Sequence, residues 1–385
     1  MYVIFLVLII DLLGFTVILP LMPSIFEYYD ANEKDHLYHW MESKVQYFQT
    51  LFGSPVSFNK VLFSGFIGSV FSALQFLVAP IFGSLSDVYG RKTVMILSMV
   101  GIGVSHAIWC MADYFYLFVI ARIIGGLSRA NISLSTAIVT DLCSERKRSK
   151  GMCTARVTPR GQKSIICWTR IIRSLSVHQS LSLFSFNPVI NIKPEEKRAL
   201  KKIGLIYFLF LFIYSGLEYS LSFLTHMRFN FTSMQQGKMY LFSGLIMIFI
   251  QGGYVRRIPP GKETKSAAIG ALLIIPAFIL IGISNSIGVL YVGLALYAYA
   301  SATVVPCLTT IASKFGSTSQ KGTVLGIFRS LGSLARAFGP LVFAVAYWSL
   351  TPTVSYCIGG LLLIVPLLLI LNLSKELPQL VVKED

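Results

Sequence analysis

Charged residues are scarce in this sequence. Asp, Glu, Lys and Arg make up 13% of its 385 residues, about half the share of an ordinary soluble domain. Hydrophobic residues make up 55%, and the mean hydropathy is +0.70. That balance cannot be hidden in a water-soluble core, so the chain reads as a membrane protein. Acids are scarcer than bases: 17 Asp and Glu stand against 33 Lys and Arg, a net charge of +16. In a soluble protein such an excess would suggest nucleic-acid binding. Here the bases fall mostly between apolar runs, so loop placement against anionic headgroups is the better account, and no nucleic-acid partner is expected. Cysteine is sparse. Cys110, Cys143, Cys153, Cys167, Cys307 and Cys357 form no C-x-x-C pair, so neither a disulfide framework nor a zinc site is expected. No phosphate-binding glycine loop occurs, which argues against an ATP-driven pump. The five His are scattered, and no Ser/His/Asp or paired-carboxylate constellation can be assembled, so neither an enzyme nor a cofactor is expected.

Long apolar runs are what the chain does have. Ten of them suffice to cross a bilayer of roughly 30 Å as helices of about 20 residues: 2–22, 61–83, 93–112, 116–140, 203–225, 238–255, 267–284, 288–310, 323–347 and 353–373. They are continuously apolar rather than alternating, which disfavours a barrel. The first lacks a basic n-region and a small-residue cleavage site, so it is expected to be a retained span. With both termini cytosolic, inward loops hold 24 Lys and Arg and outward loops hold 5, and the positive-inside bias favours that orientation. The outward loop at about 23–60 carries Asp35, His36 and His39, residue types that suit a metal. A solvated acidic loop is the reading adopted. Asn230-Phe231-Thr232 is a glycosylation sequon on the outward side, close to the membrane.

Two features recur in the two halves. After the second span stands Gly83-Ser84-Leu85-Ser86-Asp87-Val88-Tyr89-Gly90-Arg91-Lys92, and Gly252-Gly253-Tyr254-Val255-Arg256-Arg257 stands at the matching place later. The fourth span runs out through Thr140-Asp141 to Lys150-Gly151, and its counterpart through Ala312-Ser313 to Lys321-Gly322. Parallel halves of this kind are a transporter plan. The glycines permit a tight inward turn, and Arg91 and Lys92 hold it on the cytosolic side.

The Gly83–Lys92 run resembles the loop signature of the major facilitator superfamily, with Val88 where that family has Arg. Arg122-Ile123-Ile124-Gly125-Gly126 resembles its Arg-x-x-x-Gly motif. Asp11-Leu12-Leu13-Gly14, Pro20-Leu21-Met22-Pro23 and Gln75-Phe76-Leu77-Val78-Ala79-Pro80 are similar to the drug–proton antiporter branch. The runs 124–137, 215–226 and 320–324 resemble the tetracycline-transporter-like members of animals. The resemblance covers about 2–152 and 197–373. It implies an all-α fold of two helical bundles, transport by alternating access, and a latch between the bundles made by Gly83, Asp87, Gly90, Arg91 and Lys92.

The family has twelve spans and this chain shows four plus six. The expected organisation is a four-span bundle at 1–140, a basic cytosolic loop at 141–202 that is atypical at 153–190, and a six-span bundle at 203–385. The segment 153–190 holds Arg156, Arg160, Lys163, Arg170 and Arg173, and no acid occurs from Arg146 to Pro194. Arg170 and Arg173 at a helix centre would each cost roughly 2.5–3.5 kcal/mol on insertion scales. The family's Gly-Pro antiporter motif is absent, which puts antiport in doubt. A replaced coding segment, a ten-span protein and an unconventional insertion are the competing accounts.

Ionisable residues inside spans are expensive, and a functional role is the working assumption for each. They are Asp11, Arg122, Arg129, Glu218, Arg329 and Arg336. By resemblance, Asp11, Arg122 and Glu218 lie on cavity-lining spans. A carboxyl in low dielectric holds its proton, and a nearby Arg promotes its release. Asp11 is the first candidate for the proton carrier, with a structural pair to Arg122 as the alternative. Glu218 has the same two roles, with substrate contact favoured. Arg129 is expected to pair with Asp87 or Asp141. Arg329 and Arg336, seven apart, share a helix face and meet the latch or line the path. Gln75, Asn131, Tyr219, Tyr297 and Tyr299 are polar candidates, though Tyr297 and Tyr299 cannot both face the cavity. Four Arg against two carboxylates favour an anionic or amphipathic organic substrate, because the guanidinium fork suits carboxylates. The expectation is a proton-coupled secondary transporter of small organic molecules. The alternative is a non-transporting membrane protein that binds a longer homologous partner.

Overall fold

A computed structural model describes residues 10–129 except 12, 15, 33 and 53–54, then Phe186, and then 194–381 except 260 and 316–320. Among these residues there are only helices and turns. The first half comprises α1 (Ile18–Ala31), α2 (His36–Phe52), α3 (Asn59–Tyr89), α4 (Arg91–Cys110) and α5 (Phe115–Ser128). The second comprises α6 (Pro194–Phe229), α7 (Ser233–Phe249), α8 (Glu263–Ile283), α9 (Ile287–Ala312), α10 (Lys321–Ser349), α11 (Pro352–Leu362) and α12 (Ile364–Val381).

Among the described residues, eight segments are long and apolar enough to cross a membrane. They are α3, α4, α6, α7 with its continuation to Arg257, α8, α9, α10, and α11 with α12. Six of these eight lie between Pro194 and Glu376. The expected span 2–22 lies partly outside the described residues, which are helical from Ile10 with a turn at Val17. The expected span 116–140 is described only to Arg129, and the segment 153–190 lies outside the described residues apart from Phe186.

Local chemistry sets the boundaries. Gly90 alone joins α3 to α4, with φ +92°, a left-handed conformation that a Cβ disfavours. The expected tight turn is therefore real at Gly90, whereas Gly83 sits inside α3. α6 starts at Pro194, ahead of the expected 203, because proline suits the first helical position and Glu195 and Glu196 complement the helix dipole. Thr232 and Gln235 form a capping box that opens α7. α11 and α12 part at Leu363, where Pro366 cannot donate back to Leu362.

The expected acidic outward loop is a correction. α1 runs on to Ala31, and the 17-residue α2 fills the space before α3. Asp35 is buried, and its Oδ1 accepts from Tyr38 N at 3.4 Å while its Oδ2 accepts from Phe115 N at 2.5 Å. One carboxylate therefore caps two helix N-termini, α2 and α5. His39 turns to Glu42 and to the Asn32 carbonyl instead.

The halves meet most closely along α3 and α10, where Gly65 lies against the Pro340 carbonyl and Ala344. Near one end of this seam Trp348 Nε1 donates to Asn59 Oδ1 at 2.9 Å. Aromatic packing continues it, with Phe26 of α1 edge-on to Phe223 of α6 at 6.3 Å. Within the second half, Arg228 donates to the Gly282 and Ser284 carbonyls and to Thr353 Oγ1, tying α6 to the ends of α8 and α11.

Asp35→Ala should cost about 1–2 kcal/mol per cap lost, read as a lower unfolding temperature in detergent. Asp35→Asn, which keeps an accepting oxygen but no charge, should lose less.

Candidate functional site

The cavity between the halves is built from four helices and the start of α1. Ile18 and Leu19 of α1, Gly68, Phe71 and Ser72 of α3, Arg122 of α5, Ser215, Glu218 and Tyr219 of α6, and Arg336 and Pro340 of α10 line it. Its volume is about 80 Å³, space for a few waters and far below the roughly 300 Å³ of a small-ligand site. Gly68 is required where it is, because a Cβ there would fall 2.6 Å from the Tyr219 ring.

Arg122 is 8% exposed. Its guanidinium stacks 4.2 Å from the centroid of the Phe71 ring, and its Nε has no hydrogen-bond partner. Arg336 reaches the same cavity from α10. Among the described residues neither Arg122 nor Arg336 forms an ion pair. The cavity wall therefore carries two guanidinium groups against the single carboxylate of Glu218.

Glu218 is held by hydroxyls. Its Oε1 accepts from Tyr297 of α9 at 2.6 Å and from Tyr214 of its own helix at 3.1 Å. The two phenols are 2.6 Å apart, their rings are stacked at 5.4 Å, and Ser301 Oγ adjoins Tyr214 at 2.9 Å. Tyr299 instead turns towards Tyr254, as the two-residue spacing requires. Tyr214 and Ser301 were not among the expected residues. Their signal was available: each lies four residues from a cluster member on the same helix.

Asp11 and Arg129 are paired, at 3.3 Å with both side chains buried. Asp11 thus meets Arg129 rather than Arg122, while the expected partners of Arg129, the Asp87 side chain and Asp141, lie outside the described residues. Register explains the outcome. α1 and α5 run antiparallel, and Ile18 and Arg122 meet at the cavity. Seven residues back along the first helical run and seven forward along α5 are both about 10 Å in the same direction, which brings Asp11 to Arg129. Asp11 Oδ1 remains buried without a hydrogen-bond partner.

The other expected residues lie elsewhere. Gln75 is half-buried one turn beyond Phe71 and does not line the cavity. Arg329 sits by Tyr207 rather than on the cavity wall. Asn131 and Asp141 lie outside the described residues, and so do the side chains of Asp87 and Arg91, while Lys92 is exposed. Asn230 is exposed, at φ +52°, directly after α6.

The chain matches the Major Facilitator Superfamily over residues 4–158 and 158–340. A mouse protein named Major facilitator superfamily domain-containing protein 10 is 41% identical over 425 aligned residues, taking in 97% of this chain and 92% of that protein. Its human namesake is 42% identical with the same shares. Since 97% of 385 is about 373, about fifty of the 425 aligned positions have no residue here. The Multidrug resistance protein 2 of Bacillus subtilis is 24% identical over 322 residues, 74% of this chain and 79% of that protein. The crystal structure of the human organic anion transporter MFSD10 (TETRAN) superposes with a TM-score of 0.76 at 40% identity, covering 96% of this chain and 98% of that one.

Asp11→Asn should take the buried carboxylate of this pair away from Arg129 and destabilise by up to about 3–5 kcal/mol. Combining it with Arg129→Gln should recover much of that loss. A thermal double-mutant cycle reads the coupling, and additive effects would exclude it.

Proposed function

This chain belongs to the major facilitator superfamily, and we propose that it carries small organic anions across the membrane together with a proton. It is a transporter and not an enzyme, as the family is. The observation that carries the anion reading is the cavity wall, where Arg122 and Arg336 lack carboxylate partners among the described residues. A carboxylate or sulfonate bound there would take the guanidinium forks in a medium that strengthens the contact. The human relative of known structure is described as an organic anion transporter, which supports the same chemistry here.

Glu218 is the proton carrier in this reading. A substrate anion placed beside it adds negative charge next to its carboxylate and favours the protonated form. By linkage, protonation of Glu218 in turn favours anion binding. Proton and anion then travel in the same direction. The Asp11–Arg129 pair is a structural support for α5, and Asp11 Oδ1 is the secondary proton position. The bias of Lys and Arg towards one set of loops supports cytosolic termini, and that orientation places Asn230 outside, available for glycosylation.

A second reading rests on the fifty aligned positions without a counterpart. A chain lacking a helix pair of the first bundle would not complete the transport cycle and would act as a partner of a longer homologue.

Reconstituted protein should take up a labelled aromatic carboxylate faster when the compartment that holds the labelled anion is the acid one. Arg122→Gln and Arg336→Gln should each lower uptake at least about tenfold, the scale of a lost charge-assisted contact. Glu218→Gln should leave exchange of bound anion but abolish its response to the proton gradient. No flux from the intact chain beside an active longer relative would establish the second reading.

A further inference from the structure

Beyond the cavity, three contacts join the halves at one mouth. Phe26 packs on Phe223, Ser24 Oγ lies 2.9 Å from Ser233 Oγ, and Glu27 of α1 meets His226 of α6. His226 is the chemically telling member. Its Nε2 lies 2.8 Å from Glu27 Oε1, and its Nδ1 lies 3.0 Å from the Phe231 carbonyl oxygen. The carbonyl is an acceptor and has no proton to give. The carboxylate, when ionised, has none either. A neutral imidazole owns one N–H and can satisfy only one of these oxygens. The geometry needs two protons among the three groups. They are held either as an imidazolium that donates at both nitrogens, or as a neutral ring whose Nε2 accepts from a protonated Glu27. The proton count is the same in both forms.

We propose that the Glu27–His226 contact is a proton-binding site whose occupancy closes this mouth, separate from Glu218 in the cavity. When the halves part here, Glu27 and His226 lose each other, and the arrangement that needs the second proton is gone. The closed state therefore holds one proton more than the open state, and acid favours closure. Other charges on the elements packed here are engaged or turned away. Asp30 pairs with Lys60 at 2.9 Å, Asp35 caps α2 and α5, Arg228 is bound to Gly282, Ser284 and Thr353, and Lys238 is exposed.

The test uses the full chain in lipid nanodiscs, its six cysteines replaced by serine, with spin labels at Tyr28→Cys and Met234→Cys. These positions flank the mouth and are 54% and 71% exposed. Pulsed dipolar spectroscopy should show the short-distance population growing as pH is lowered from about 8 to about 5. The closed-to-open ratio should change by up to about tenfold per pH unit, the limit for one linked proton. His226→Gln should flatten that dependence. Glu27→Gln should also flatten it, but with the mouth closed at every pH, because the Gln amide can donate to the Nε2 of a neutral ring. Distances that do not respond to pH in the parent chain, or a dependence that survives His226→Gln, would overturn the proposal. The readout needs no substrate, so it stands apart from the fate of the anion reading.

Discussion

A guanidinium buried in a membrane must be matched or used, and the last two turns of α5 present two of them to one side. Arg122 and Arg129 are seven residues apart and lean over the same Phe71 ring, at 4.2 and 6.0 Å. Arg129 is matched by Asp11, which fixes the first helical run beside α5. Arg122 is covered by an aromatic face but meets no carboxylate among the described residues, which leaves its charge to the cavity. Phe71 brings α3 into the same stack, and α3 in turn carries the long seam with α10 that delivers Arg336. The position of the cavity and its positive wall thus follow from how two arginines on a short helix are disposed of.

The repeat makes the two halves comparable, and the comparison exposes an asymmetry. α3 is the second span of its half, and it packs on α10, the fifth span of the other. The counterpart of α3 by its trailing basic loop is α7, and the mate of α10 would be a fifth span in the first half. α7 is the least covered of the long helices, with Leu241, Ile248 and Phe249 exposed and Gly237 and Gly244 open to space. The family match is divided at residue 158, and the relatives carry about fifty aligned positions that this chain lacks. Neither observation disturbs the α3–α10 seam on which the cavity depends.

What the sequence revealed and what it hid have physical causes. Continuous apolar runs marked the spans because lipid admits little else, and Gly90 marked the α3–α4 turn because that connection needs a positive φ. α2 was hidden because its face towards the molecule is a stripe, Leu37, Tyr38, Met41 and Val45, among polar residues rather than a continuous apolar run. The charged residues inside spans were legible as a set, but their partners were not, since pairing depends on the register between helices. The antiparallel run of α1 and α5 decides that Asp11 meets Arg129. Tyr214 and Ser301 were overlooked although both lie at four-residue spacing from Tyr297 or Glu218. His226 carried no signal at all, because its meaning comes from two acceptors, one of them 199 positions away.

The two proton sites proposed above share one helix. Glu218 and His226 are eight residues apart on α6, about 12 Å along its axis, and no break interrupts it between Pro194 and Phe229. Between them Phe223 is buried against Phe26, so a movement that parts Glu27 from His226 must also slide that aromatic contact at the cavity roof. The helix therefore links the mouth to the carboxylate mechanically, while the protons act on it differently. The mouth site draws on the solution it faces and favours closure. The cavity site responds to the charge of what is bound. An acid exterior would shut the mouth over a loaded cavity, and by reciprocity a shut mouth would hold its proton more firmly. A transporter built this way needs no long-range signal between gate and site, because both are positions on the same rigid rod.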